Sequence, residues 1–246
     1  MLSPTGGGAS VLLRKPRSYA EIYNDLDGQV VNVFRMARDR GEELRRALEL
    51  TPFSRAEFLE SYEPSPDHFE QARRTIMRSF QGFGSAAACG ETSGFRANSN
   101  RSGTTPAHDW RNYPAAFGAI IERLRGVVIE SRDAPEVIAQ HDGPQTLHYV
   151  DPPYVHSTRS EKVRSTITRK SYRHEMSDAD HERLAAVLHR ARGAVVLSGY
   201  RSSLYDRLYG DWRMVERHAH ADGARDRIEA LWLSPNCPSS QGAMAL

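Results

Sequence analysis

Apolar and polar positions follow two periods along the chain. Val31, Phe34, Ala37, Leu44 and Leu48 fall near helical spacing and predict one helix from about Gly28 to Leu48. Phe69, Ala72, Ile76 and Phe80 predict a second amphipathic helix beyond Pro52, Pro64 and Pro66. Pro114 is placed where a third would begin, with Phe117, Ile120, Ile121 and Leu124 as its buried face. Ser177-Asp178-Ala179-Asp180 approximates a capping box for a fourth, with Leu184, Val187, Leu188 and Ala191 inward. Short apolar runs at Tyr19 to Tyr23, Val127 to Ile129, Thr146 to Val150, Ala194 to Leu197 and Ile228 to Leu233 read as strands or core elements, and Leu204 to Leu208 as one more element. Strand and helix alternate from both ends, which implies an α/β sheet interrupted by an insertion.

The middle of the chain changes character. Residues 82–105, GFGSAAACGETSGFRANSNRSGTT, are rich in Gly, Ser, Thr and Asn and too poor in aliphatics to pack a core. Long loops of this kind inside domains are functional or disordered. The length of 246 residues suits one large or two small domains, and 39% hydrophobic content suffices for a core. No apolar run approaches the ~20 residues of a membrane span, and no signal peptide is expected. Cys89 and Cys237 are far apart, which argues against a disulfide framework or a zinc site and fits a reducing cytosol. The formal charge is only +2, yet 30 of the 33 cations are Arg. Arg suits phosphates and base edges, although an Arg-favouring codon bias explains such a count more simply.

The sharpest chemistry is Asp151-Pro152-Pro153-Tyr154, directly after an apolar strand. Ligands of open α/β sheets bind beyond the carboxyl ends of strands. Asp151 offers an acceptor for an amino group. Pro152 and Pro153 fix φ and remove two donors, so the Pro152 carbonyl can be a second acceptor. Tyr154 offers a face for stacking on a base. Together these describe a site for a planar exocyclic amine; a Pro-Pro turn ending a strand is the plainer alternative. A glycine turn, Gly6-Gly7-Gly8, enters a short helix near the N-terminus, and 143 residues separate Gly8 from Asp151. That is too long for an uninterrupted nucleotide-binding half-sheet.

His148-Tyr149-Val150-Asp151-Pro152-Pro153-Tyr154 resembles the catalytic motif of Dam-type adenine-specific DNA methyltransferases. Ser3-Pro4-Thr5-Gly6-Gly7-Gly8-Ala9-Ser10-Val11-Leu12-Leu13 looks like their glycine-rich S-adenosylmethionine motif, and Tyr23-Asn24-Asp25-Leu26-Asp27 like their acidic ribose-binding segment. Val195-Val196-Leu197-Ser198-Gly199-Tyr200 and Leu231-Trp232-Leu233-Ser234-Pro235 look like later core strands, so the likeness spans the chain in the family's order. It implies a Rossmann-like methyltransferase sheet with a mostly helical and loop target-recognition insertion: core at 1–53, insertion at 54–112, catalytic core at 113–246. The implied reaction moves a methyl group from S-adenosylmethionine to the 6-amino group of an adenine flipped from duplex DNA. Asp151, Pro152, Pro153 and Tyr154 would be catalytic; Gly6, Gly7, Gly8, Asp25 and Asp133 would hold the cofactor. Asp27 reads rather as a helix cap.

For DNA, Arg96, Asn98 and Arg101 in the polar loop carry side chains that read base edges. Arg159, Lys162, Arg164, Arg169 and Lys170 form a basic stretch suited to phosphates. Each has an ordinary alternative, a solvated loop. No metal is implied, and a cytoplasmic monomer in a bacterial or phage-infected host is expected. Self-modification of a phage, a restriction partner and an orphan regulator fit equally. Two rivals remain: a DNA-binding remnant without catalysis, and an RNA or protein methyltransferase, since related tetrads occur in both. The chain departs from the pattern where the family has an acid before Pro4 and an aromatic after it; here these are Ser3 and Thr5, and the last glycine is Ala9. Only Met1 and Leu2 precede Ser3, so a shortened N-terminus lacking the first strand and its upstream Gly-Gly-Lys motif is expected.

Overall fold

The computed structural model describes residues 1–5, 8–83, 93–97, 103–158, 173–221 and 225–238, with side chains left aside at 217–221 and 225–227. The chain divides into two compact units. One comprises residues 1–26, 130–167 and 176–246; the other, residues 27–129 and 168–175.

The first unit is an open sheet. Its strands are β1 (Leu2–Ser3), β2 (Glu21–Asn24), β4 (Leu147–Val150), β5 (Ala194–Gly199), β6 (Arg213–Ala221) and β7 (Arg225–Leu233), in the order β2-β1-β4-β5-β7-β6. Strand β3 (Val127–Glu130) ends in this unit, where the Glu130 carbonyl accepts the Asp25 N–H at 3.4 Å. Strands β1, β2, β4 and β5 run parallel, and β7 is antiparallel to both β5 and β6. The expected missing strand is corrected here: Leu2 pairs with Ile22 on one side and His148 on the other. Two residues fill the central slot because Leu2 is wholly buried and the Met1 ammonium donates to the Ala20 carbonyl at 2.8 Å.

Helices α1 (Ser10–Arg14), α7 (Ala134–His141), α8 (Asp178–Leu188) and α9 (Ser203–Leu208) complete this unit. Ser177 and Asp180 make the capping box at α8 that their spacing predicts. The core joins Leu2, Val150, Val195 and Leu197 of the sheet to Leu184 and Leu188 of α8. Each such side chain removed from water contributes about 1.5–3 kcal/mol. Strand β6 was not foreseen: Arg213-Met214-Val215-Glu216-Arg217 carries charges on a border strand, so it has no apolar run to reveal it.

The second unit is helical: α2 (Gly28–Asp39), α3 (Gly41–Leu50), α4 (Arg55–Glu60), α5 (His68–Gln81) and α6 (Pro106–Leu124). It takes in residues 54–112 together with helices on either side. The single helix expected over 28–48 is two. The chain turns at Arg40 (φ −135°, ψ 37°), and Gly41 then sits so close to Ile121 of α6 that a Cβ would lie 2.7 Å from its Cγ2. The third helix begins at Pro106 rather than Pro114. Thr105 caps it by accepting the His108 N–H at 3.3 Å, and Pro106 takes the first turn, where the missing N–H is harmless. Pro114 lies inside α6, buried, beside the aromatic group of Phe80, Trp110, Tyr113 and Phe117. Burial of these rings outweighs the bond that an internal proline removes.

Candidate active site

Parallel strands fan out from β1, with β2 on one side and β4 on the other, and this reversal opens a crevice at their carboxyl ends. Ser3, Gly8, Ala9, Ser10, Tyr149 and Asp151 are among the residues lining a small open cleft there. Ala9, one of the lining residues, takes a left-handed conformation (φ 50°, ψ 29°) immediately before α1. Such backbone costs a non-glycine residue roughly 1–2 kcal/mol. Asn24, 1% exposed at the end of β2, ties the crevice together. Its Nδ2 donates to the Pro4 carbonyl at 2.8 Å and the Arg132 carbonyl at 2.9 Å, and its Oδ1 accepts the Arg132 N–H at 2.9 Å.

Asp151 follows β4 on the floor of the cleft. Its N–H donates to Thr5 Oγ1 at 2.7 Å. The register Val150↔Leu197, carried one residue on, sets Ser198 of β5 level with Asp151. The residue is open to solvent yet closely surrounded by protein, the usual state of a group at the bottom of a cleft. Loss of surrounding water raises its carboxyl above the ordinary range. The Ser198 hydroxyl opposes this and Glu229 of β7 adds to it. Tyr149 is raised for the same leading reason and by the Asp151 charge, against the lowering effect of Ser198. Beyond the two prolines, Tyr154 meets Tyr200 edge to face, ring centroids 4.6 Å apart. A basic carboxylate and two aromatic rings thus follow the adjoining ends of β4 and β5.

A family model for D12 class N6 adenine-specific DNA methyltransferases matches residues 3–221. The chain belongs to that family. No curated protein matches it. As a D12-class enzyme it methylates adenine in DNA and takes the methyl group from S-adenosylmethionine. Two features near the strand ends suit that cofactor. Among the described residues no atom lies within 4 Å of where a Gly8 Cβ would stand, which leaves space beside Gly8. Asp25, at the end of β2, offers a carboxylate to hydroxyl groups, with the Tyr23 hydroxyl 3.3 Å from its Oδ2.

The other predicted residues divide sharply. Asp27 caps α2, its Oδ1 accepting the Gln29 N–H at 2.9 Å, and also meets Arg173. Asp133 stands ahead of α7 and pairs with Arg183 at 2.6 Å. Arg96 belongs to the helical unit: its N–H donates to the Gln81 carbonyl at 2.8 Å, and its Nη1 to the Phe80 carbonyl at 3.3 Å. Gly6, Gly7, Asn98, Arg101, Arg159, Lys162, Arg164, Arg169 and Lys170 lie outside the described residues. Among the described residues, no group of His, Cys, Asp and Glu could hold a metal ion, and no helix is long and apolar enough to cross a membrane. Thr5, Asn24 and Ser198 were not singled out as site residues. For Thr5 there was one signal, its substitution for the expected aromatic.

Proposed function

We propose that Asp151, Pro152, Pro153 and Tyr154 form the adenine site of this methyltransferase. One amino N–H of adenine donates to the Asp151 carboxylate and the other to the Pro152 carbonyl. That arrangement turns the nitrogen lone pair away from both acceptors. Pro153 holds the turn, and Tyr154, backed by Tyr200, gives the base a stacking face. The place of Asp151 at the end of β4, lining the cleft, supports this reading most directly, and its raised carboxyl agrees with it, because a more basic carboxylate is a stronger acceptor for an amino proton. S-adenosylmethionine, when bound, supplies a methyl group on a sulfonium centre. Gly6, Gly7, Gly8 and Asp25 would hold it, with Asp133 near its adenine once Arg183 is displaced. The protein contributes mainly position to an in-line displacement.

The base must leave the duplex to reach such a floor, at a cost of a few kcal/mol. We assign target recognition to the helical unit around residues 54–112, with Arg96, Asn98 and Arg101 toward bases. Arg159, Lys162, Arg164, Arg169 and Lys170 are assigned to phosphates. The partner is double-stranded DNA and the acting form a cytoplasmic monomer. Two measurements test the adenine site. Asp151→Asn should lose labelled-methyl transfer to DNA by about 10²-fold or more while duplex binding persists. Unaltered turnover would refute the role of Asp151. A 2-aminopurine placed at the target adenine should brighten on binding, and no change in emission would refute flipping.

A further inference from the structure

Strand β4 lies between β1 and β5, and at its end Asp151 stands between Thr5, just beyond β1, and Ser198 of β5. The pairing Leu2↔His148, carried three residues on, brings Thr5 level with Asp151. By then β1 has ended at Ser3, so no strand remains to accept the Asp151 N–H. Pro152 and Pro153 have no N–H, which makes the Asp151 N–H the last backbone donor before Tyr154. Thr5 Oγ1, at 2.7 Å, stands in for the missing ladder carbonyl. On the opposite side the pairing Val150↔Leu197, carried one residue on, sets Ser198, 8% exposed, level with Asp151, where its hydroxyl favours the charged carboxylate. We propose that Thr5 and Ser198 are positioning residues for methyl transfer. The Thr5 hydroxyl fixes the Asp151 backbone to the cofactor loop, and the Ser198 hydroxyl fixes the rotation of its carboxylate.

This rests on Asp151 being the amino acceptor. A displacement well under an ångström at the acceptor degrades an in-line reaction without altering how the substrates bind. Thr5→Val and Ser198→Ala should therefore each lower kcat about tenfold. KM for DNA and for S-adenosylmethionine should stay near the parent values. Thr5→Ser and Ser198→Thr should restore kcat. Two NMR readouts do not depend on turnover. Amide exchange at Asp151 should accelerate in Thr5→Val and stay slow in Thr5→Ser. The Asp151 carboxyl should titrate higher in Ser198→Ala. The other titratable groups facing it are Tyr149 of β4, Glu229 of β7 and Tyr205 of α9.

Asp151→Asn is the control. If it stays active, the reading of Asp151 fails. If it is inactive while Thr5→Val and Ser198→Ala keep the parent kcat, the positioning proposal is overturned. Lower kcat without rescue by the conservative variants, or with unmoved exchange and titration, overturns it as well.

Discussion

An ionised Asp151 on the floor of the cleft is short of water, and Glu229 adds a second negative charge nearby. Its folded carboxyl therefore titrates above the unfolded one. Below the ordinary carboxylate range both states are protonated and nothing is at stake. Above the raised value the folded state carries a charge it disfavours, and stability is lost. Asp151→Asn should thus raise Tm at pH 7 while ending turnover, and the gain should shrink toward pH 4. Calorimetric melts across that range check this; an unchanged or lower Tm at pH 7 would mean that Ser198 compensates fully. The cofactor side has its own test. Asp25→Ala removes an acceptor and should weaken S-adenosylmethionine binding about tenfold in titration calorimetry. Asp27→Ala should destabilise α2 by about 1 kcal/mol and leave that affinity alone, because its side chain caps the helix.

At the scale of elements, the contact between Gly41 and Ile121 decides where α2 stops and α3 begins. A methyl at residue 41 would press on the branched, stiff part of Ile121. Gly41→Ala should cost about 1–3 kcal/mol by overpacking, despite alanine's better helix propensity. Adding Ile121→Ala should recover part of that loss, and urea melts of the single and double variants measure the coupling. The apolar spacing continues through Arg40 without interruption, so this break was not legible along the chain; it depends on a helix 80 residues away. Strand β5 was legible because Ala194 to Leu197 is a continuous apolar run, as buried parallel strands are. Strand β1 was not, since two residues carry no period. The site divides in the same way. Asp151 to Tyr154 announce themselves by their order. Thr5, Asn24 and Ser198 are ordinary small polar residues until the register places them beside the crevice.

Across the whole molecule, the many arginines prove less telling than their number. Arg38, Arg40, Arg45, Arg46, Arg73 and Arg74 all meet carboxylates within the helical unit, so much of the positive charge braces helices. The buried titratable groups separate the two units more cleanly. In the sheet unit, burial pushes the fully buried His148 ring below its ordinary value of 6.5, with Asp142 only partly opposing it. The unfolded chain takes up a proton near pH 6.5 that the fold refuses, so stability present above that pH is lost as pH falls through it. Burial would raise Asp142, but the Arg192 N–H, the His148 ring and the Gly193 N–H outweigh it and hold it at about 2. In the helical unit, Arg73 foremost, with Arg74 and against burial, holds Glu70 at about 2. Its contribution is complete above 4.5 and disappears only between there and about 2. Trp212 and Trp232 report on the sheet unit and Trp110 on the helical one, all buried. In a Trp110→Phe/Asp151→Asn chain, where the opposing titration of Asp151 is removed, the urea midpoint should begin to fall below pH 6.5. In a Trp212→Phe/Trp232→Phe chain it should hold until about pH 4.5. Coincident curves would show that the two units melt as one cooperative body and that the histidine governs both.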